Sequence, residues 1–287
     1  MSIEERARAD RAATALGRIG AAETLRALTS VREGRTYDLG LELGSAIPQG
    51  SPEHMAGFRL SRYRSSTETG AAYGLEFSSE IVIGTPHVST HIDALCHYAF
   101  DGRIFGGASV ADVHTDFGFT EHAMETVPPI IGRGVLVDVP LLFGVPMIAD
   151  GFEITADHLA ATLELQRTEL RDGDVVLVRT GKIAQFFTDQ EVFMKAQGGV
   201  GPEGAIWLYE QGMSVLGTDT PATEPAPHPD PRDTTHKAML VERGVHLIEN
   251  LALDELARDR IYAFAFVCLP LRMTGSTGSW VRPVAIV

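Results

Sequence analysis

An α/β fold is predicted for this 287-residue chain from its short apolar runs of strand length, the helical stretches between them, and the Gly, Pro and Asp residues at the joints. An apolar content of 44% supplies a sizeable core and excludes a disordered chain. The length fits one large α/β domain or two smaller ones.

Taken in order, Ser2 with Glu5 three positions on forms a capping box, and a helix is predicted through SIEERARADRAATALGRI. Ala9, Ala12, Ala13, Leu16 and Ile19 fall near a helical repeat, a stripe of mostly small residues suited to a neighbouring subunit or to the chain's own body. Residues 1–34 are therefore read as an N-terminal helical segment and 35–287 as the main domain. Strands are predicted over Glu80–Gly84, Gly134–Val139, Val175–Thr180 and Ser214–Gly217, with helices over Thr155–Arg171, Pro202–Gln211 and Thr235–Arg243. This alternation implies parallel pairing for some strands. Tyr262–Leu269 and Val281–Val287 are apolar runs that close the chain in a buried sheet. Thr220–Asp233 carries five prolines and is a loop; its place directly after a strand makes it an expected flank of an active site.

Lys and Arg number 24 against 38 Asp and Glu, a net charge of −14 that repels phosphate backbones and anionic lipid headgroups. Nucleic acid and membrane are thus not expected partners, and no apolar run approaches the ~20 residues of a membrane span. Cys96 and Cys268 are too few for a disulfide framework, and the charged N-terminus is unlike a signal peptide, so a cytoplasmic location is expected.

The chemistry concentrates in His87-Val88-Ser89-Thr90-His91-Ile92-Asp93-Ala94-Leu95-Cys96-His97, which holds three of the ten histidines and a carboxylate. Imidazole and carboxylate are the ligands of catalytic Zn²⁺ and Mn²⁺. Val88, Thr90 and Ile92 alternate with polar positions, so an extended chain sets His87, Ser89, His91 and Asp93 on one face. Alternate side chains of a straight strand stand about 6.6 Å apart, too far to share an ion, so a turn or bulge is expected here, with the small Ser89 permitting it.

This stretch resembles the signature His-x-Gly-Thr-His-x-Asp-x-x-x-His of the metal-dependent cyclase-like hydrolases, a family that includes bacterial kynurenine formamidase, isatin hydrolase and a trans-dienelactone hydrolase. Only Ser89 departs from it. The resemblance extends to Asp101-Gly102, Arg133–Asp138, Gly173–Gly181, Gly217-Thr218-Asp219 and Gly275–Ser279, covering most of the chain after Tyr37. It implies a single domain of the swivelling β/β/α type with a mixed sheet, assembled as a homodimer or homotetramer. It implies that His87, His91 and Asp93 bind one divalent ion, Mn²⁺ or Zn²⁺, that Asp93 bridges to a second, and that His97 is the acid/base group. The remaining ligands map onto His236 and Glu249, at an interval one residue longer than the family pattern. That interval and Ser89 both bear on whether one or two ions bind.

The function implied is opening of a cyclic amide, isatin- or lactam-like, by a metal-activated water. A lactone or aryl formamide is the alternative substrate, and a non-hydrolytic cyclase or dehydratase the alternative activity. Read from its residues, Glu249 ends an apolar run where a carboxylate can face a site or cap a helix near Leu253, and His236 opens a helix as ligand or solvated residue. His246 reads as strand filler. Phe100, Phe105 and Trp280 line a pocket for a flat small-molecule substrate or belong to the core. Asp219 and Glu224 serve the site or satisfy loop amides. Gly275–Ser279 is an anion cradle or a tight turn. A Cys96 nucleophile is set aside because its side chain points away from that of His97, and Gly199–Gly204 is set aside as a dinucleotide loop because no strand precedes it.

Overall fold

Strand-forming runs from both halves of the chain pair into one nine-stranded mixed sheet in the computed structural model, which describes residues 2–49, 57–65, 77–228 and 230–287. The principal elements are α1 (Ile3–Ala13), α2 (Ala21–Thr29), β1 (Thr36–Asp38), β2 (Arg59–Ser65), β3 (Ser78–Ile83), β4 (His91–Asp93), β5 (Ile130–Asp138), α3 (Ala156–Gln166), β6 (Val175–Arg179), α4 (Pro202–Glu210), β7 (Val215–Thr218), β8 (His246–Glu249), β9 (Ala263–Cys268), β10 (Gly278–Trp280) and β11 (Val284–Ile286). Their order across the sheet is β1-β11-β9-β5-β6-β7-β8-β4-β10. The central β5, β6, β7 and β8 run parallel, and the flanking strands are antiparallel to their neighbours.

The parallel centre is apolar on both faces because it is covered on both. Val176, Val178 and Leu216 pack with Leu159 and Leu163 of α3 and Leu208 of α4. Val175 and Leu177 point the other way, into a cluster with Leu16, Ile19, Phe264 and Phe266. The period of two seen in Val175–Val178 thus divides one strand between two cores. At Gly134 a side chain is excluded, since a Cβ there would lie 2.1 Å from the ring of Phe264, its cross-strand partner.

Several boundaries differ from the sequence reading. The N-terminal stripe is not one surface: α1 ends at Ala13, a 3-10 turn covers Ala15–Arg18, and α2 follows. Ala9, Ala12 and Ala13 are exposed, whereas Leu16 and Ile19 are buried in the core of their own chain. Helix α3 stops at Gln166 instead of Arg171 because Arg167 takes a left-handed conformation, φ 51°. Strand β5 begins at Ile130, four residues earlier than expected. The run Val281–Val287 holds only β11, with β10 just before it. The run at Glu80 forms β3, which pairs with β2 in a separate two-stranded ribbon, and there Leu60, Ile81, Val82 and Ile83 are exposed. The proline-rich loop is described except at Pro229, which lies outside the described residues.

Candidate metal centre

The predicted turn in the histidine cluster is present. Ser89 has φ 56°, a left-handed backbone that suits the Gly of the family signature, and the side chain of Ser89 donates to the Glu42 carbonyl at 3.0 Å. Only His91–Asp93 is strand. Sheet register then assembles the rest: on β8 Glu249 is the cross-strand partner of His91, and on β10 Gly278 is the partner of Asp93.

His91, His236 and His87 each have one nitrogen occupied and the other aimed at a carboxylate. His91 Nδ1 donates to the Ser89 carbonyl at 2.9 Å, leaving Nε2 at 3.5 Å from both Asp93 Oδ1 and Glu249 Oε2. His236 Nδ1 donates to Glu224 Oε2 at 2.6 Å, leaving Nε2 at 3.6 Å from Asp93 Oδ2 and 3.5 Å from Glu249 Oε1. His87 Nε2 meets Thr277 Oγ1 at 2.9 Å, and its Nδ1 stands 2.9 Å from Asp93 Oδ1 without the alignment of a hydrogen bond. Both Asp93 oxygens and His87 Nδ1 are buried without a hydrogen-bond partner. An unpartnered carboxylate facing imidazole lone pairs costs several kcal/mol unless a cation stands between them. Ligands bound at ~2.1 Å in tetrahedral geometry lie ~3.4 Å apart, close to the 3.5 and 3.6 Å separations at His91 and His236. The donor set therefore fits a divalent ion. Its atoms form two overlapping groups, His91-Asp93-Glu249 and His87-Asp93-His97, with Asp93 common to both.

The electrostatics are those of a site built for positive charge. Burial alone would raise Asp93, yet the surrounding histidines, His97 foremost, hold it well below the usual carboxylate range. Burial, reinforced by Asp93 and Glu224, pushes Glu249 well up. His236 is raised well above an ordinary histidine despite burial because Glu224 sits on its Nδ1. Burial lowers His91 to about 4 and His97 to about 3, so both are neutral imidazoles. His97 stacks on His87 with ring centroids 3.9 Å apart.

The interval between His236 and Glu249 has a structural explanation. Lys237–Val241 is a π-helical turn, closed by Glu242 N–H donating to the Lys237 carbonyl, so the chain takes up one residue more than an α-turn before entering β8. Glu249 is not a helix cap: its Oε1 accepts from Thr223 Oγ1 at 3.0 Å, deep in the centre. His246 does more than fill a strand, because its Nδ1 donates to the Asp93 carbonyl at 2.8 Å and braces that ligand from behind. Glu224 belongs to the site, while Asp219 accepts from Thr180 and Gly181 and holds the turn after β6. Burial raises the Cys96 thiol to about 12, as befits a packing residue.

The aromatic residues divide. Trp280 donates from Nε1 to the Thr85 carbonyl at 3.1 Å and meets Phe58 edge-on, beside the loop that leads to His87. Phe100 lies under Arg232 and Lys237, and Phe105 packs on His122 and against Gly244. The ring beside the ligands is Tyr98, 5.5 Å from His236. A narrow crevice reaches His87 between Pro48, Phe186, Phe193, Met194 and Pro221. Tyr98, Phe186 and Phe193 carry no sequence signal for this role, although Tyr98 adjoins His97.

The family model described as "Putative cyclase" matches residues 37–225, the larger part of the chain. The chain belongs to the cyclase family. The kynurenine formamidase of Paracidovorax citrulli is 30% identical over 200 residues, covering 70% of this chain and 76% of that one. That of Bacillus cytotoxicus is 26% identical over 200 residues, covering 69% and 75%. Among solved structures, a novel cyclase superposes with a TM-score of 0.87 at 24% identity, over 96% of this chain and 94% of its own. Isatin hydrolase A from Labrenzia aggregata gives 0.67 at 23% identity, over 88% and 93%. These structures share this fold. With its donor set and its formamidase relatives, the chain is a metal-dependent hydrolase of the cyclase family. No helix among the described residues is long and apolar enough to cross a membrane.

Proposed function

We propose that this chain opens a cyclic amide, isatin- or lactam-like, at a centre holding one or two ions of Mn²⁺ or Zn²⁺. The observation that carries the reading is the convergence of free nitrogens from His87, His91 and His236 on two buried carboxylates, Asp93 and Glu249. His87, His91 and Asp93 would hold one ion, and His236, Glu249 and Asp93 would hold a second. Bound there, a divalent ion brings the pKa of a water near neutrality and polarises the scissile carbonyl. His97, a neutral imidazole against His87, takes a proton from the attacking water and returns it to the departing nitrogen. The water oxygen ends on the carbonyl carbon, the C–N bond breaks, and the nitrogen leaves protonated. Phe186 and Phe193, packed edge-on with ring centroids 5.3 Å apart, wall the narrow crevice that reaches His87, and Trp280 packs against the same apolar cluster.

A second reading, hydrolysis of an aryl formamide, is favoured by the kynurenine formamidase relatives. The deciding experiment measures metal per chain in the parent and in His91→Ala, then turnover of metal-reconstituted protein on isatin, N-formylkynurenine, a γ-lactam and a dienelactone. Stoichiometric metal that is lost in the variant, with ring opening of isatin or the lactam, supports the proposal. Turnover of N-formylkynurenine alone transfers it to the second reading, and dienelactone turnover alone makes the chain a lactonase. A chain that binds no divalent ion after reconstitution refutes the centre altogether.

A further inference from the structure

The two halves of the centre are supported differently. His87 and His91 are oriented by neutral acceptors, Thr277 Oγ1 and the Ser89 carbonyl. His236 and Glu249 are both oriented by one dipeptide of the proline-rich loop: Glu224 accepts from His236 Nδ1 at 2.6 Å, and Thr223 donates to Glu249 Oε1 at 3.0 Å. From sequence these residues are separated from their partners by 12 and 26 positions. The dipeptide is itself seated firmly. Val200 N–H donates to the Thr223 carbonyl at 2.9 Å, and Gln197 Nε2 donates to the Glu224 carbonyl at 2.7 Å and to the Ala222 carbonyl. Gly199 lies so close beneath it that a Cβ there would be 2.4 Å from the Glu224 carbonyl carbon.

Resting on the metal-centre reading above, we propose that Thr223 and Glu224 are positioning residues that hold a second cation position, the one served by His236 and Glu249, and set its affinity; Glu249 Oε2 also faces His91 Nε2 at 3.5 Å, so the first position feels them only through that shared carboxylate. The physical ground is that a carboxylate on the remote nitrogen of an imidazole fixes its tautomer and raises its basicity toward a metal. A hydroxyl on one oxygen of Glu249 fixes which way that carboxylate turns. Neither residue touches the His87–His91 half in any hydrogen bond or ion pair of the described residues.

The test is elemental analysis of the full chain dialysed against buffered Mn²⁺ or Zn²⁺ over a range of free concentrations, with metal-free thermal unfolding as a check on the fold. The parent is expected to carry two ions per chain. Glu224→Gln, which keeps the shape but removes the charge, should need ~10–100-fold more free metal to fill the second position, with the first, whose His87 and His91 are oriented by Thr277 and Ser89, shifted less. Thr223→Val should do the same, and Thr223→Ser, which restores the hydroxyl, should bind as the parent does. If the parent carries two ions and both Glu224→Gln and Thr223→Val fill as it does, the inference is wrong while the metal centre stands. A parent with one ion, undisturbed by either substitution, also overturns it. A parent with none overturns the centre itself.

Discussion

Gly278 offers a steric probe of the centre that leaves every candidate ligand in place. Its backbone needs no left-handed conformation, so alanine is permitted there by the chain itself, yet the added Cβ would lie 2.7 Å from His87 Cε1, 3.0 Å from the Ile92 carbonyl oxygen and 3.2 Å from His87 Nδ1. Carbon atoms rest at ~3.5–4.0 Å, so the His87 ring must retreat by about 0.8 Å or more. It cannot do so freely, being held between Thr277 Oγ1 and Asp93 Oδ1, each 2.9 Å away. Overpacking of this size costs ~1–3 kcal/mol of stability, and a misplacement of ~1 Å at a reacting centre costs ~100-fold in rate. The expected result for Gly278→Ala is a folded chain with weakened metal binding and turnover ~100-fold lower, read by elemental analysis, thermal unfolding and steady-state rates. Gly44→Ala, where nothing lies within 4 Å of the new Cβ, is the control and should match the parent. Parental metal content and turnover in Gly278→Ala would refute the assignment of His87 as a ligand in this geometry.

His97→Ala should keep its metal while losing ~10²–10⁴-fold in turnover; loss of metal instead would make His97 a ligand, since it lies within reach of His87 and Asp93. Burial raises Asp219 to about 6, so the folded state binds more protons than the unfolded state between the ordinary 3.8 and that value. Stability from this group is therefore present at low pH and lost as pH rises through about 6, by ~3 kcal/mol. Urea unfolding of Asp219→Asn against the parent should show the difference between them shifting toward the variant by about that amount from pH 3 to pH 7, and a constant difference would refute it. The ribbon of β2 and β3 presents Leu60, Ile81, Val82 and Ile83 to solvent, and its Arg59 and Arg62 outweigh Glu80 on a chain of net charge −14. A second copy is its expected cover, because a lone two-stranded ribbon is marginal in water; light scattering should give at least twice 31.0 kDa, and a monomer would refute it.

The part of this centre legible in the sequence is the part that is local. His87, His91, Asp93 and His97 lie within eleven residues, and even the turn at Ser89 was required by the reach of their side chains. Glu224 was legible only as a polar residue at a strand end, because its partner His236 is fixed by a loop seated on Gln197 and Val200. Thr277 meets His87 across 190 positions, and no periodicity encodes such a meeting. For the same reason the direction of the Phe105 ring was not legible: nearness to the cluster along the chain does not set direction, and its ring meets His122 and Gly244. In the fold, the apolar runs of β5, β6, β7 and β9 announced themselves. β3 did too, but an apolar run says nothing about whether its cover comes from the same chain. The N-terminal stripe failed because a helical repeat carries no information about Thr14, where the helix stops.

The pairing of β4 with β8 and β10 makes the centre sensitive to chain length in a graded way. His91 faces Glu249, and Asp93 faces Gly278, only in one register. Inserting a single residue between Ile92 and Asp93, with Asp93 held opposite Gly278, would bring the aliphatic Ile92 where the His91 imidazole belongs. The stretch Lys237–Val241 already accommodates one additional residue as a π-turn while His236 and Glu249 keep facing each other. Relatives of this chain can thus lengthen or shorten the connection between these two ligands, and most freely the loops outside the sheet, without re-inventing the chemistry. The seven positions from His87 to Asp93 have no such latitude, which leaves substrate preference to drift in the loops while the metal-binding core stays one fixed size.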